Sequence, residues 1–171
     1  MTTNKYLAII IITMLLLASC LEIEQLPPEP HIEFTNFTVF DTVDILGNHS
    51  KGGKLNFYFE DGDGDVGLAV PSGFQGDSTD LFFTLFRKTD GTMVQAPDND
   101  PLQPSPYRIP YMVRRGQNKI LKGTISVTFL YLFYSSGDTI RYDFYIKDRA
   151  LHESNVASTS EIVISENNVY R

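Results

Sequence analysis

The sequence predicts an all-β domain, an antiparallel sandwich of about seven strands, preceded by an N-terminal export signal. Three observations carry this. From His31 onward, apolar residues recur with a period of two, in short runs separated by clusters of Gly, Pro, Asn and Asp. No window after the signal shows the 3.6-residue apolar spacing of an amphipathic helix. Removing residues 1–19 from the 171 leaves 152, the size of one domain, which buries about 68–70% of its unfolded surface without disulfides or metals.

The elements follow in order. Ile32–Phe40 is the first run. Lys54–Glu60 alternates, with Leu55, Phe57 and Phe59 on one face and Lys54, Asn56, Tyr58 and Glu60 on the other. Leu81–Arg87 is followed by a hairpin-like turn at Thr89-Asp90-Gly91. Residues 96–106, rich in Pro and Asp, read as a loop. Tyr107–Val113 reads as an edge strand, because Pro110 cannot donate to a central ladder. Ile120–Tyr134 is long, with Ile125, Val127 and Phe129 inward and its aromatic end, Tyr131–Tyr134, expected in the core. Thr139–Lys147 buries Ile140, Tyr142, Phe144 and Ile146, and Ile162–Ile164 closes the set.

The N-terminus speaks to location. Met1–Tyr6 carries one charge, Lys5, and Leu7–Leu17 is an unbroken apolar run of 11 residues. That suits a secretory signal and is well short of the ~20 residues a spanning helix needs. The run ends in Leu17-Ala18-Ser19-Cys20, which resembles the lipobox of bacterial lipoproteins at all four positions. The resemblance implies cleavage before Cys20, lipidation of its thiol and acylation of its amine. Several acyl chains, each stabilised by about 0.8 kcal/mol per buried CH₂, hold a protein on a membrane. Leu21 rather than Asp follows the cysteine, so the inner-membrane retention signal of such lipoproteins is absent and the resemblance implies the outer membrane. Gln25–Pro30 (QLPPEP) reads as a stiff, extended spacer. The expected organisation is therefore a signal at 1–19, lipidated Cys20 with a linker to 30, and one domain over 31–171.

Asp138-Thr139-Ile140-Arg141-Tyr142-Asp143-Phe144 resembles the sixth-strand motif of immunoglobulin-like domains, Asp-x-apolar-x-Tyr-x-Cys. The resemblance implies an immunoglobulin-like sandwich in which Phe144 stands at the second cysteine and packing replaces the disulfide. Tyr142 would then be a tyrosine corner, its hydroxyl bonding the backbone just upstream.

One constellation carries chemistry. Glu60-Asp61-Gly62-Asp63-Gly64-Asp65-Val66-Gly67 sets carboxylates at alternate positions between glycines, so a tight loop can turn several oxygens toward one point. Calcium takes 6–8 such oxygens at roughly 2.3–2.6 Å. The spacing resembles an EF-hand loop at its first, third and fifth positions. It departs at the sixth, Val66 instead of Gly, and at the twelfth, Ser72 instead of Glu. Further ligands must come from elsewhere. In an immunoglobulin-like sandwich the loop between strands two and three shares a pole with the loop between strands six and seven, which here holds Asp148, Glu153 and Asn155. Asp61, Asp63, Asp65, Asp148 and Asn155 are the candidate calcium ligands, with Asp77 and Asp80 nearby. Two alternatives stand beside calcium: Asp-Gly pairs as turn formers on a solvated loop, and partial neutralisation by Arg149.

The lipobox, Pro-rich spacer, Phe59–Leu68 segment and late Asp148-Arg149-Ala150…Glu153-Ser154-Asn155 loop together resemble Gram-negative outer-membrane lipoproteins. That resemblance implies location and fold and brings no activity with it. Enzyme signatures are absent. His31, His49 and His152 lie at no metal-ligand spacing, and no nucleophile-elbow, zinc-protease or phosphate-loop motif occurs. The balance of 14 basic to 21 acidic residues excludes nucleic acid as the expected partner. The expected role is a non-catalytic interaction or structural module of the cell envelope, docking an envelope protein. The alternative is calcium-assisted glycan binding, with Tyr58, Tyr107, Tyr131 and Tyr145 as stacking platforms beside the aspartates.

Overall fold

The computed structural model describes residues 25–69, 79–113 and 119–171. Cys20, Ser72, Asp77 and the expected signal over 1–19 lie outside them. Nine strands are present among the described residues: β1 (His31–Val43), β2 (His49–Asp61), β3 (Leu81–Thr89), β4 (Thr92–Gln95), β5 (Leu121–Tyr131), β6 (Thr139–Ile146), β7 (Ala157–Ser158), β8 (Ile162–Val163) and β9 (Asn168–Tyr170). They form two antiparallel sheets. One has the order β5-β2-β1-β9; the other runs β4-β3-β6-β7, with β8 also paired to β6. No helix among the described residues is long and apolar enough to cross a membrane.

The alternation read from the sequence is the core. Leu55, Phe57 and Phe59 of β2 face Ile140, Tyr142, Phe144 and Ile146 of β6, all buried. Rings lock the two sheets together. Phe57 meets Phe144 at 5.2 Å between centroids, and Phe83 meets Phe129 edge-on at 5.5 Å, geometries that add to plain area burial. Two glycines in β2 shape one end of the sheet. A Cβ on Gly53 would lie 2.5 Å from the ring of Phe37, and one on Gly52 equally close to Phe40, so the aromatic side chains of β1 lie across a strand that has no side chains there.

Four expectations need correction. Tyr107–Val113 is not a strand. It contributes isolated bridges only, Leu81 with Tyr107 and Leu68 with Pro110. Prolines 106 and 110 withhold donors, and the amide of Ile109 is taken by the Asp80 carboxylate at 2.6 Å. The aromatic run is split. Tyr131 is core, while Leu132, Phe133 and Tyr134 are exposed, because the chain turns there toward β6. Strands β4, β7 and β9 were not foreseen; they have only 4, 2 and 3 residues, too few to show a period. Part of the β6 edge is instead satisfied by hydroxyls. Ile146 donates to Ser154 Oγ and Tyr142 to Thr159 Oγ1.

The fourth correction concerns Tyr142. Its hydroxyl does donate to backbone, but to the carbonyl of Leu102, 40 residues upstream, at 2.8 Å. The side chain points into the core, and its hydroxyl ends under the 96–106 loop, which folds across that side. There it also meets the Tyr131 hydroxyl at 3.2 Å. Burial pushes the phenol of Tyr142 well above its ordinary value, so it stays protonated and serves as a donor.

Candidate metal centre

All three aspartates of the 61–67 loop converge. Asp61, Asp63 and Asp65 each offer a carboxylate oxygen, and the three oxygens lie within 4.8 Å of one another. That is about the span of two ligands across one ion at 2.3–2.6 Å. The loop is organised by its first residue. Oδ2 of Asp61 accepts the amides of Asp65 at 2.7 Å and Val66 at 2.9 Å, which curls the chain back on itself. Val66, the residue that breaks the EF-hand pattern, is fully buried and anchors the loop in the core. Gly67 has φ of +89°, and a Cβ there would meet the Pro110 carbonyl at 2.4 Å; only glycine permits that approach.

The electrostatics are those of crowded acids. Asp61 is 1% exposed, and its Oδ1, like Oδ1 of Asp65, is buried with no hydrogen-bond partner. Burial chiefly raises the Asp61 carboxyl above its usual range, and the neighbouring charge of Asp63 adds to this against the two amide bonds. Asp65 is raised by burial first, then by the charges of Asp148, Asp63 and Asp61, with Arg149 opposing. Both groups therefore hold protons more tightly than free carboxyls, and a cation in their midst would relieve that repulsion.

The two loops meet at one pole as the sequence suggested. The amide of Arg149 reaches the Asp65 carbonyl at 3.4 Å, and Lys147 donates to the Asp80 carbonyl at 2.8 Å. Their side chains take separate roles. Asp148 is buried, with its carboxylate engaged by His152 through the backbone amide and Nδ1, each at 2.8 Å. That bond raises the imidazole above its ordinary value. Asn155 stands on β1: Oδ1 accepts the Ile32 amide at 2.8 Å and Nδ2 donates to the Ile32 carbonyl at 2.9 Å. It completes the β1 edge in the manner of a paired strand, and the cluster proper is the three loop aspartates. The Arg149 guanidinium donates to the carbonyls of Gly67 at 2.8 Å and Val66 at 3.4 Å, and lies over the Tyr111 ring at 4.8 Å. It thus braces the loop backbone as well as offsetting charge.

Sequence reasoning missed the linker's part in this site. The spacer does not stand free. Gly62 donates to the Pro27 carbonyl at 3.0 Å, Pro30 is buried, and a Cβ on Gly62 would lie 2.3 Å from the carbonyl oxygens of Leu26 and Pro27. The signal was the glycine itself, which a turn former alone did not distinguish from a point of close approach. Gly62→Ala is expected to expel the linker, so that limited proteolysis between residues 21 and 30 becomes several-fold faster while the thermal midpoint falls by about 1 kcal/mol equivalent or less. An unchanged cleavage rate would show that the linker does not depend on this contact.

The tyrosines expected to form a sugar platform do not form one cluster. Tyr131 is buried at the far end of β5; Tyr58 and Tyr145 belong to different sheets, with Tyr145 stacked on Phe82 at 5.1 Å; Tyr107 packs edge-on against Phe83 and Phe129.

Fold and site together define a two-sheet β domain with an acidic loop at one pole and the Leu26–Pro27 segment packed against it. No protein-family model, curated protein or solved structure matches the chain.

Proposed function

We propose that this protein is a lipid-anchored, non-catalytic module of a bacterial outer membrane, with an immunoglobulin-like domain whose anchor-side pole is stabilised by calcium. The observation that carries the reading is the meeting of tether and acidic loop. Leu26 and Pro27 sit directly on Gly62, between two of the three converging aspartates. Lipidation of Cys20, supported by the Leu17-Ala18-Ser19-Cys20 sequence, would put the membrane within about 20 Å of that contact, since six residues extend at most ~3.3–3.6 Å each. Calcium, bound through Asp61, Asp63 and Asp65 with waters completing the shell, would hold loop and tether as one unit. A calcium that ties the loop to the linker has a structural role, in keeping with binding toward an envelope protein.

The test is thermal unfolding of the chain in EDTA and in millimolar calcium, repeated on Asp63→Asn. Calcium at about a hundred times its dissociation constant adds about 2.7 kcal/mol, or several degrees at about 2–4 °C per kcal/mol. The rise is expected in the parent and lost in the variant. Identical curves in all conditions overturn the metal, leaving the loop as a hydrogen-bonded turn. Independently, Cys20→Ser is expected to release the protein from membranes and abolish incorporation of labelled palmitate.

A further inference from the structure

We propose that the pole carrying the acidic loop is the face on which the domain rests against the bilayer, with Leu151, Tyr111 and Val113 seated among the headgroups of zwitterionic phospholipid. β1 begins, β2 ends, β3 begins and β6 ends at this pole, since His31 pairs with Glu60 and Leu81 with Ile146. The 148–152 turn follows the end of β6, and the 110–113 segment passes beside it. Both hold the aspartate loop. The Arg149 amide reaches the Asp65 carbonyl, and the Pro110 carbonyl lies against Gly67. The two segments also hold each other, because the Arg149 guanidinium lies over the Tyr111 ring at 4.8 Å.

Leu151 is the residue the fold does not account for. Its side chain is 76% exposed, and its φ is +71°. That left-handed conformation suits Gly or Asn and is costly for a bulky apolar residue. The turn closes without the leucine side chain: the Leu151 amide donates to the Asp148 carbonyl at 3.2 Å, and the His152 amide to Asp148 Oδ1 at 2.8 Å. The side chain therefore has neither shelter nor a turn-forming duty within the chain, and an apolar surrounding outside the chain supplies one. Tyr111 and Val113 are exposed beside it. A tyrosine, with an apolar ring and a polar tip, favours the boundary between membrane and water.

What covers this face follows from where the chain leaves it. The inference rests on the proposed lipid anchor and makes no use of calcium. Leu26 and Pro27 lie on Gly62, and Cys20 is only six residues before Leu26. A lipidated Cys20 thus keeps this pole within about 20 Å of the bilayer. The opposite end stands well away, since β1 alone runs 13 residues, roughly 40 Å at ~3.3 Å per residue. Exposed apolar side chains held that close to a bilayer enter its interface, as the apolar face of an amphipathic segment does. Charge decides the lipid. Asp61, Asp63 and Asp65 converge at this pole, which disfavours an anionic surface and leaves a zwitterionic one.

The chain contains no Trp, so one introduced Trp reports its own surroundings. Tyr111→Trp keeps an aromatic ring beneath Arg149. Leu151→Trp is the second reporter, and Ile45→Trp, exposed in the β1–β2 turn at the other end, is the control. Each full chain, produced in a bacterium that processes lipoproteins, is reconstituted in vesicles of phosphatidylethanolamine with plain or dibrominated phosphatidylcholine. Trp emission, flotation and palmitate incorporation are measured on the same samples. Emission from positions 111 and 151 is expected at shorter wavelength and largely quenched by the brominated lipid, with position 45 unaffected. Adding Leu151→Asp to Tyr111→Trp should restore most of the lost emission and leave the thermal midpoint in place, because the side chain is exposed. A chain that floats while positions 111 and 151 stay as bright as 45 overturns the seated pole and leaves the anchor standing. Equal quenching at all three positions also overturns it, since the domain would then lie on its side. A chain that neither floats nor carries palmitate overturns the anchor, and the seated pole with it.

Discussion

Replacing Phe144 with Ala is expected to cost about 3–5 kcal/mol of folding free energy. The side chain is fully buried at the centre of β6, against Phe57 of the opposite sheet at 5.2 Å and Phe83 of its own sheet at 6.1 Å. Removing the ring takes away its transfer free energy and leaves a cavity whose aromatic walls are held by two sheets and cannot collapse into it. Total stability for a domain of this kind is about 5–15 kcal/mol, so the loss is about a fifth of it or more, and the midpoint falls by roughly 10 °C. Phe133→Ala is the matched control. The same ring is removed at 72% exposure, and the change should stay within about 0.5 kcal/mol. If denaturant unfolding showed Phe144→Ala costing less than 1 kcal/mol, the cross-sheet ring contact would not be holding the sandwich together.

The second large effect is a fall in stability as pH rises from 4 to 7. Asp80 is 1% exposed; its Oδ1 accepts the Ile109 amide, and its Oδ2 is buried without a partner. Burial pushes its carboxyl up to about 6. A carboxyl that binds its proton more tightly folded than unfolded makes ν of the folded state the larger between the two pKa values. Stability therefore declines through that window and levels off above it. A shift from 3.8 to about 6 corresponds to about 3 kcal/mol. Asp61 and Asp65, also raised, add to the slope in the same sense. Asp41, Asp44 and Asp100, which are lowered by their hydrogen-bond partners, act oppositely and only in more acid solution.

Asp80→Asn keeps an acceptor for the Ile109 amide and cannot ionise. Urea unfolding between pH 4 and 7.5 should show a declining stability in the parent and a shallower decline in the variant. Calcium should remove part of what remains, because the ion and the protons compete for Asp61 and Asp65. A parent curve that is flat or rises across this range would mean that Asp80 is ionised at little expense, and that water reaches it.

Most of the core was legible in the chain because a strand writes its buried face into every second residue. Leu55, Phe57 and Phe59, and likewise Ile140 through Ile146, needed no partner to be identified. Strands of two to four residues write nothing. β7 and β9 exist because β6 and β1 present unpaired edges to them, and Ser154, Thr159 and Asn155 serve those edges with side chains where strand runs out. Tyr107–Val113 failed for the opposite reason. Its alternation is real, but two prolines and the claim of Asp80 on the Ile109 amide prevent a ladder.

For the candidate site, the sequence by itself offered the loop: aspartates at alternate positions between glycines can turn three carboxylates toward one point, and a solvated turn or pairing with Arg149 fitted the same spacing. Tertiary structure alone decided the rest. It buried Asp61 beside Val66, gave Asp148 to His152 and Asn155 to Ile32, laid the linker on Gly62, and carried the hydroxyl of Tyr142 to Leu102, 40 residues away. The physical reason is range. Local spacing sets which groups a loop can turn toward one point, while burial and distant donors decide which of those groups remain without partners.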